Sequence, residues 1–341
     1  MSEILKVEDF GPIRKAELEL KKTTVLIGPQ GSGKSTLAKL VAIFLDMPSH
    51  GFDPVNTAFH IEATNYELDN YGSPSSHITF NSLLINCEVK GDDIVKHKIE
   101  KLANQVVFIP TERALFSILP NSVMSLILAN VNLPKSLTGF GSNYELARKH
   151  SNGLKIDYLG VEYRFNEPEI LKKDGKLLEL SESASGYQSI VPIKIVVENY
   201  LPNEKRSFII EEPELNLYPT TQKDLIYYLA NRCAKGDNEL LMTTHSPYVL
   251  SALNNLLFAY QVAQKHPDKA DDVAKIIPKE SWLNPAEFAA YYVGEGTVRS
   301  IFDIETGLIS DNELDDVSLD IAGERNQLFK IYRSVIRETV N

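Results

Sequence analysis

The chain has 341 residues, 43% hydrophobic and 24% charged, with a formal net charge of -11 and a pI near 5.2. That is globular composition with ample material for a large core. Its acidity disfavours tight, nonspecific binding to nucleic acid, which needs clustered Lys and Arg. No apolar run approaches the roughly 18 residues that a membrane-spanning helix requires. Two cysteines, Cys87 and Cys233, carry no metal or redox spacing and suggest a reducing compartment. Met1-Ser2-Glu3 leads straight into a strand-like segment, so the expectation is a soluble cytoplasmic protein without a signal peptide.

Ile4 to Leu20 predicts two short strands about the turn Phe10-Gly11-Pro12. Thr23 to Ile27 reads as a β-branched, apolar strand, and Leu37 to Leu45 carries apolar residues at helical spacing. Between them, Gly28-Pro29-Gln30-Gly31-Ser32-Gly33-Lys34-Ser35-Thr36 fits the pattern G-x-x-x-x-G-K-[ST] in the strand–loop–helix context it requires. Such a loop turns backbone N–H groups inward, and the following helix adds its positive dipole end, which together make an anion site. The glycines allow backbone angles and close approach that a Cβ hinders. Lys34 would reach the β- and γ-phosphates, and the Ser35 hydroxyl would ligate Mg²⁺. The segment implies binding of a nucleoside triphosphate.

From Asp46 to His77, prolines, glycines and polar residues predict loops. Strands are expected over Ile78 to Val89 and Val106 to Ile109, a mostly apolar helix over Phe116 to Ala129, and strands over Ile156 to Phe165 and Ile170 to Leu180 with a turn at Asp174-Gly175. This middle stretch, roughly 46 to 180, is expected to be an inserted lobe. Further on, Gly186 to Tyr200 predicts a helix that Pro192 must either kink or enter close to its first turn. Ser207 to Ile210 predicts a buried strand, Pro219 to Lys235 a helix, Glu239 to Thr244 a strand and Pro247 to Leu256 a helix. The remainder reads as short elements and a final helix from about Glu324. Alternating strands and helices around a phosphate loop argue for a three-layer α/β core with a largely parallel sheet.

Three further segments carry chemistry. Phe208-Ile209-Ile210-Glu211-Glu212-Pro213-Glu214 ends an apolar strand in two carboxylates, whose side chains point in different directions at period two. Glu211 is assigned to the metal and Glu212 to the general base. Ser181 to Ser189 brings Ser and Gly to a helix start, 26 residues before Glu211 when counted from Ser185, and can offer donors to a phosphate. Leu240 to Pro247 delivers His245 to the same sheet edge, where it would hydrogen-bond a γ-phosphate or an attacking water.

Together and in this order, the four motifs resemble the ABC-type ATPase superfamily. Ala184-Ser185-Gly186-Tyr187-Gln188 is similar to its signature L-S-G-G-Q, with Ala for Leu and Tyr for the second Gly. Phe208 to Glu212 resembles its Walker B strand with Glu211 in place of Asp, and His245 matches its switch histidine. Phe108-Ile109-Pro110-Thr111-Glu112-Arg113 lies where its Q-loop glutamine is expected, with Thr111 at that position and Glu112 beside it. The phrases Phe10 to Ile13, Glu211 to Pro219 and Thr244 to Pro247 resemble the non-transporter OLD-family and RecF-like branch. The resemblance implies an ABC-type core over 1–256 with an antiparallel β subdomain and the inserted lobe. A C-terminal extension would follow over 257–341, with no Toprim nuclease constellation.

It also implies Mg²⁺-dependent ATP hydrolysis in a head-to-tail homodimer. In that dimer Gly28, Gln30, Gly31, Ser32, Gly33, Lys34, Ser35 and Thr36, with Glu211, Glu212 and His245, would meet Ser185, Gly186 and Gln188 of the second copy. Stand-alone ATPase subunits of anti-phage systems such as PARIS and Septu are similar, and they work with a separate effector, often a nuclease. The alternative is a RecF-like repair ATPase acting on DNA, which the acidic charge does not favour. Eight acidic residues and no Lys or Arg between Asp303 and Glu324 read as a solvated face, or as a dock for a basic partner. Phe10 and Arg14 are candidates for stacking on the base. Tyr291, Tyr292 and Trp282 are expected in the core of the C-terminal region.

Overall fold

The computed structural model describes residues 3–46, 59–83, 85–91, 93–99, 105–119, 131, 133–151, 153–165, 168–200, 205–310 and 323–329. Its strands begin with β1 (Glu3–Phe10), β2 (Ile13–Leu20), β3 (Thr23–Ile27), β4 (His77–Asn81), β5 (Ile85–Lys90), β6 (Asp93–Ile99) and β7 (Gln105–Ile109). Four short ones follow: β8 (Leu154–Ile156), β9 (Val161–Arg164), β10 (Ile170–Lys173) and β11 (Lys176–Glu179). Then come β12 (Arg206–Glu211), β13 (Glu239–Thr244), β14 (Phe288–Gly294) and β15 (Thr297–Ser300). Eleven of these make one mixed sheet in the order β6-β5-β4-β1-β2-β15-β14-β3-β13-β12-β7, while β11-β10-β9-β8 make a smaller antiparallel one.

The large sheet has two halves. From β14 through β3, β13 and β12 to β7 every neighbour is parallel. From β2 through β1 and β4 to β6 every neighbour is antiparallel. In the parallel half, β3 and β12 are buried at every position, because both faces are covered.

One face carries Leu26, Phe108, Ile209 and Leu241 into a core with helix α1 (Lys34–Asp46), residues of β1, β2, β4 and β5, and Phe59 of helix α2 (Phe59–Asn65). The other face carries Val25, Ile27, Ile109, Ile210 and Met242 into a second core. Helix α3 (Leu115–Ile118), α4 (Lys135–His150), α5 (Ser185–Glu198), α6 (Pro219–Cys233) and α7 (Pro247–Lys265) line that core. A short α8 (Ala270–Ile276) packs on α7. Each such apolar side chain removed from water contributes about 1.5–3 kcal/mol, so alternation along four strands holds both layers to the sheet.

The expected strand pair, phosphate loop, α1, β7, β12 and β13 stand where the sequence puts them. Helix α7 runs nine residues beyond the expected Leu256, since Leu257, Ala259 and Ala263 continue its buried stripe. Pro192 sits inside α5 rather than at its first turn, and the helix continues through it. Ile156 to Phe165 is interrupted by Gly160 in the left-handed region and gives two strands instead of one. Within the expected loop from Asp46 to His77, α2 forms and buries Phe59 and Ala63 against α1.

Of the helix expected over Phe116 to Ala129, Phe116 to Ile118 are helical in α3, which follows a 3-10 turn (Thr111–Ala114); residues 120–130 lie outside the described residues. So do Asp311, Glu313, Asp315, Asp316 and most of the expected final helix. The C-terminal stretch contains an element the sequence reading did not foresee. Strand β14 inserts in parallel beside β3, between the phosphate-loop strand and β15. Tyr291 is indeed built in, its hydroxyl bonded to the Glu19 carbonyl, and Trp282 is buried.

Candidate functional site

Three adjacent parallel strands end at one edge, and each delivers a motif there. Thr244 of β13 is paired with Ile27 of β3, so His245 emerges beside Gly28; Thr243 is paired with Glu211 of β12. One strand further out, Ile109 of β7 is paired with Ile210, which sets Pro110 and Thr111 beside Glu211. Parallel strands place all their carboxyl ends on one side, where open α/β sheets bind ligands.

In the loop, Gly28 has φ +153, and a Cβ there would run into the Val293 carbonyl oxygen of β14. The close approach that demands glycine is therefore made by the protein's own neighbouring strand β14. Gln30 and Gly31 are exposed, Ser32 half-buried, and Gly33, Lys34 and Thr36 buried at the start of α1. The Lys34 ammonium folds back to donate to the carbonyls of Gly28 at 2.9 Å and Pro29 at 2.7 Å. Burial lowers its pKa to about 8, against the pull of Glu212, Glu214 and Glu211.

Glu211 is buried, and burial raises its pKa, with the Ser35 hydroxyl opposing as a hydrogen-bond partner. Its Oε1 has no protein hydrogen-bond partner, and neither does the buried Ser32 Oγ. An unsatisfied buried carboxylate oxygen next to a serine hydroxyl is the donor set for a hard cation. Among the described residues no group of three or more His, Cys, Asp or Glu side chains is arranged to hold a metal unaided. Mg²⁺ fits that situation, since it is commonly held by one or two protein oxygens together with substrate phosphates.

Glu212 adopts φ +40, an uncommon conformation for a non-glycine residue. Its N–H donates to the Thr243 carbonyl at 3.0 Å, and its Oε1 lies 3.1 Å from His245 Nε2. That contact is an ion pair whenever the imidazole carries its second proton. Both side chains are about one-quarter exposed, so the pair faces the mouth of the site. Beneath it, Glu214 Oε1 accepts from Thr244 Oγ1 at 2.7 Å and from the His245 N–H at 2.8 Å. Burial raises the Glu214 pKa as well. Glu214 thus fixes the backbone from which His245 projects.

Ser185 opens α5 and is exposed, and Gly186 is half-buried. A Cβ on Gly186 would stand 3.1 Å from the Asn216 carbonyl, so glycine here lets the segment after Glu212 pack on the start of α5. The Gln188 amide is turned inward, donating to the carbonyls of Ser181 at 2.9 Å and Ser183 at 3.0 Å. Of this motif, the Ser185 and Gly186 end is the part that meets solvent. Phe10 does not serve as a base-stacking surface: it is 1% exposed, packed edge-on to Phe59 and Tyr71. The Arg14 guanidinium is tied to the Glu295 carbonyl.

Sequence reasoning gave no role to Glu214 or Arg113. Both stood inside quoted motifs, but nothing in a linear pattern tells a buried acid or base from a solvated one. Arg113 is 0% exposed, and burial lowers its pKa to about 10 against the pull of Glu214, Glu212, Glu211 and Glu112.

Among the described residues, no helix is long and apolar enough to cross a membrane. A search of curated proteins gives no significant match. Solved structures that overlay on the chain include the SMC head domain from Thermotoga maritima, 12% identical, covering 88% of this chain and 98% of its own, with a TM-score of 0.40. An SMC head bound to the C-winged helix domain of ScpA is 11% identical, covering 89% and 98%, with a TM-score of 0.44. A dimeric ATP-binding cassette, MJ0796, in a post-hydrolysis state with ADP and phosphate is 13% identical, covering 87% and 97%, with a TM-score of 0.38. These TM-scores all fall below 0.5, and the family assignment does not depend on them. It rests on the sequence, for residues 1–152 and 129–250 match the AAA ATPase domain, and the chain belongs to that family.

Proposed function

We propose that the protein is an ATP-hydrolysing switch that closes head-to-tail on a second copy of itself and thereby gates a separate effector protein. The observation that carries this reading is the convergence of Gly28–Thr36, Glu211, Glu212 and His245 on three neighbouring parallel strands. The loop N–H groups and Lys34 would cradle the phosphates, the ammonium leaving the Gly28 and Pro29 carbonyls to do so. Ser35 and Glu211 would hold Mg²⁺, which when bound supplies charge neutralisation at the β- and γ-phosphates. Glu212 would take the proton from the attacking water, and His245 would hold Glu212 in place or donate to the γ-phosphate.

Ser185 is exposed and Gly186 half-buried at a helix start, a position from which they would complete the γ-phosphate site of a second copy. ATP would then join two chains, and hydrolysis would part them. The resemblance to stand-alone ATPase subunits of anti-phage systems, which work with a separate effector, supports a partner of that type.

A mixing experiment tests the composite site. Lys34→Ala disables the loop, and Ser185→Arg blocks the signature end; each variant alone should lack turnover. If the site is shared between copies, mixing them pairs an intact loop with an intact signature and restores turnover. A mixture as inactive as its components would overturn the shared site. Capture of the effector by the ATP-loaded Glu212→Gln chain, and not by Lys34→Ala, would identify what is gated.

A further inference from the structure

Arg113 joins three segments that the sequence separates widely. Its Nε donates to the Ser189 carbonyl of α5 at 3.2 Å. One terminal nitrogen donates to the carbonyls of Pro110 at 3.0 Å and Glu211 at 2.8 Å, and the other to the Glu212 carbonyl at 2.7 Å. All three nitrogens of a fully buried guanidinium are thereby committed to backbone carbonyls. The fork is rigid and planar, so four acceptors are fixed relative to one another in a way a lysine ammonium cannot reproduce.

Two features make this more than packing. Glu212 is held at φ +40, a conformation that persists only when its surroundings over-determine it. Its peptide neighbours are held from two sides, the N–H by Thr243 and the carbonyl by Arg113. The second feature is Pro192. Lacking an N–H, it leaves the Gln188 carbonyl, four residues back, without its helical donor. Ser117 Oγ donates to that carbonyl at 3.0 Å, and Arg113 takes the next one, Ser189. The proline opens the wall of α5 where the Arg113 segment docks.

We infer that Arg113 is a positioning residue: it holds the Glu212 backbone in its catalytic conformation and ties it to α5, the helix that begins with Ser185. The inference rests on the reading of Glu212 as the base. In a closed dimer, α5 would serve the partner's nucleotide while Glu212 serves its own, so Arg113 links the two sites mechanically.

The test compares Arg113→Lys and Arg113→Gln with Ser117→Ala, which removes the other tie to α5 without touching Glu212. Either Arg113 variant that melts above the assay temperature serves. It should lower kcat by about 10–100-fold while leaving equilibrium ATP affinity within about threefold. Ser117→Ala should lower the melting temperature and leave kcat unchanged. In single-turnover assays, Arg113→Lys added to Glu212→Gln should slow the reaction no further, because the two act as one unit. Arg113 variants with wild-type kcat, or a double variant slowed by the product of both effects, would overturn the positioning role. Glu212→Gln turning over at the wild-type rate would overturn the base assignment itself, which is a separate arm.

Discussion

The two halves of the large sheet use the same backbone and behave as different materials. In the antiparallel half, β1 and β2 alternate buried and exposed positions, and their charged residues pair across the solvent face, as Lys6 does with Glu17 at 3.0 Å. In the parallel half, β3 and β12 are buried throughout, and charges beside the carboxyl ends of its strands are buried too: Lys34, Arg113, Glu211 and Glu214. Burying such groups costs several kcal/mol each unless they are paired, so a fold keeps them where they have work to do. One half is a stable edge; the other concentrates charge at a single point.

Substitutions should divide along that line, beginning with the glycines of the loop. Gly28→Ala drives a Cβ into the Val293 carbonyl, so β3 and β14 must part. A stability loss of about 3 kcal/mol or more is expected, read by denaturant unfolding, along with loss of turnover. Gly31→Ala has nothing within 4 Å of the new atom and should cost only about 1 kcal/mol, from its positive φ alone.

Next in size is Glu214→Ala, which strips the acceptor from the Thr244 hydroxyl and the His245 N–H. It should destabilise by about 1–3 kcal/mol and slow hydrolysis with little change in ATP affinity. If hydrolysis kept its wild-type rate, Glu214 would have no part in aiming His245.

Lys194 offers a smaller effect and a pH signature. It is buried in α5 against the Tyr228 ring, 3.6 Å from the centroid, and burial lowers its pKa to about 8. The folded state therefore binds fewer protons than the unfolded state between about pH 8 and the ordinary lysine range. Stability from this group is lowest below pH 8 and rises as pH climbs above it. Lys194→Met should flatten that rise and gain about 1–2 kcal/mol at pH 7, measured by unfolding at several pH values. Smallest of all, Lys6→Ala in the antiparallel half should change stability by less than about 1 kcal/mol and leave hydrolysis untouched.

The legibility of the molecule follows the same division. Strands β3, β12 and β13 could be read because continuous apolar runs ending in Gly, Glu-Glu or His leave little choice of structure or of edge. The signature segment could be placed only through its resemblance, since Ser and Gly at a helix start are otherwise an ordinary cap. Strand β14 escaped because Phe288-Ala289-Ala290 with Tyr291-Tyr292 shows no alternation, and its partner β3 is distant in sequence, Phe288 pairing with Thr23. Arg113 escaped for the same cause: its partners at Ser189 and Glu212 are long-range, and a charge inside a wall of carbonyls looks linear and unremarked in the chain. Phe10 was misjudged because proximity to the loop in sequence said nothing of α2, which closes over it.

The central claim is that Glu212, at the end of β12, is the base of an ATP-hydrolysing edge. Single-turnover hydrolysis by the Glu212→Gln chain, with ATP binding measured on the same sample, tests it most directly. The account predicts ATP affinity near wild type and hydrolysis slowed by at least about 100-fold. Hydrolysis at the wild-type rate with ATP bound would contradict it.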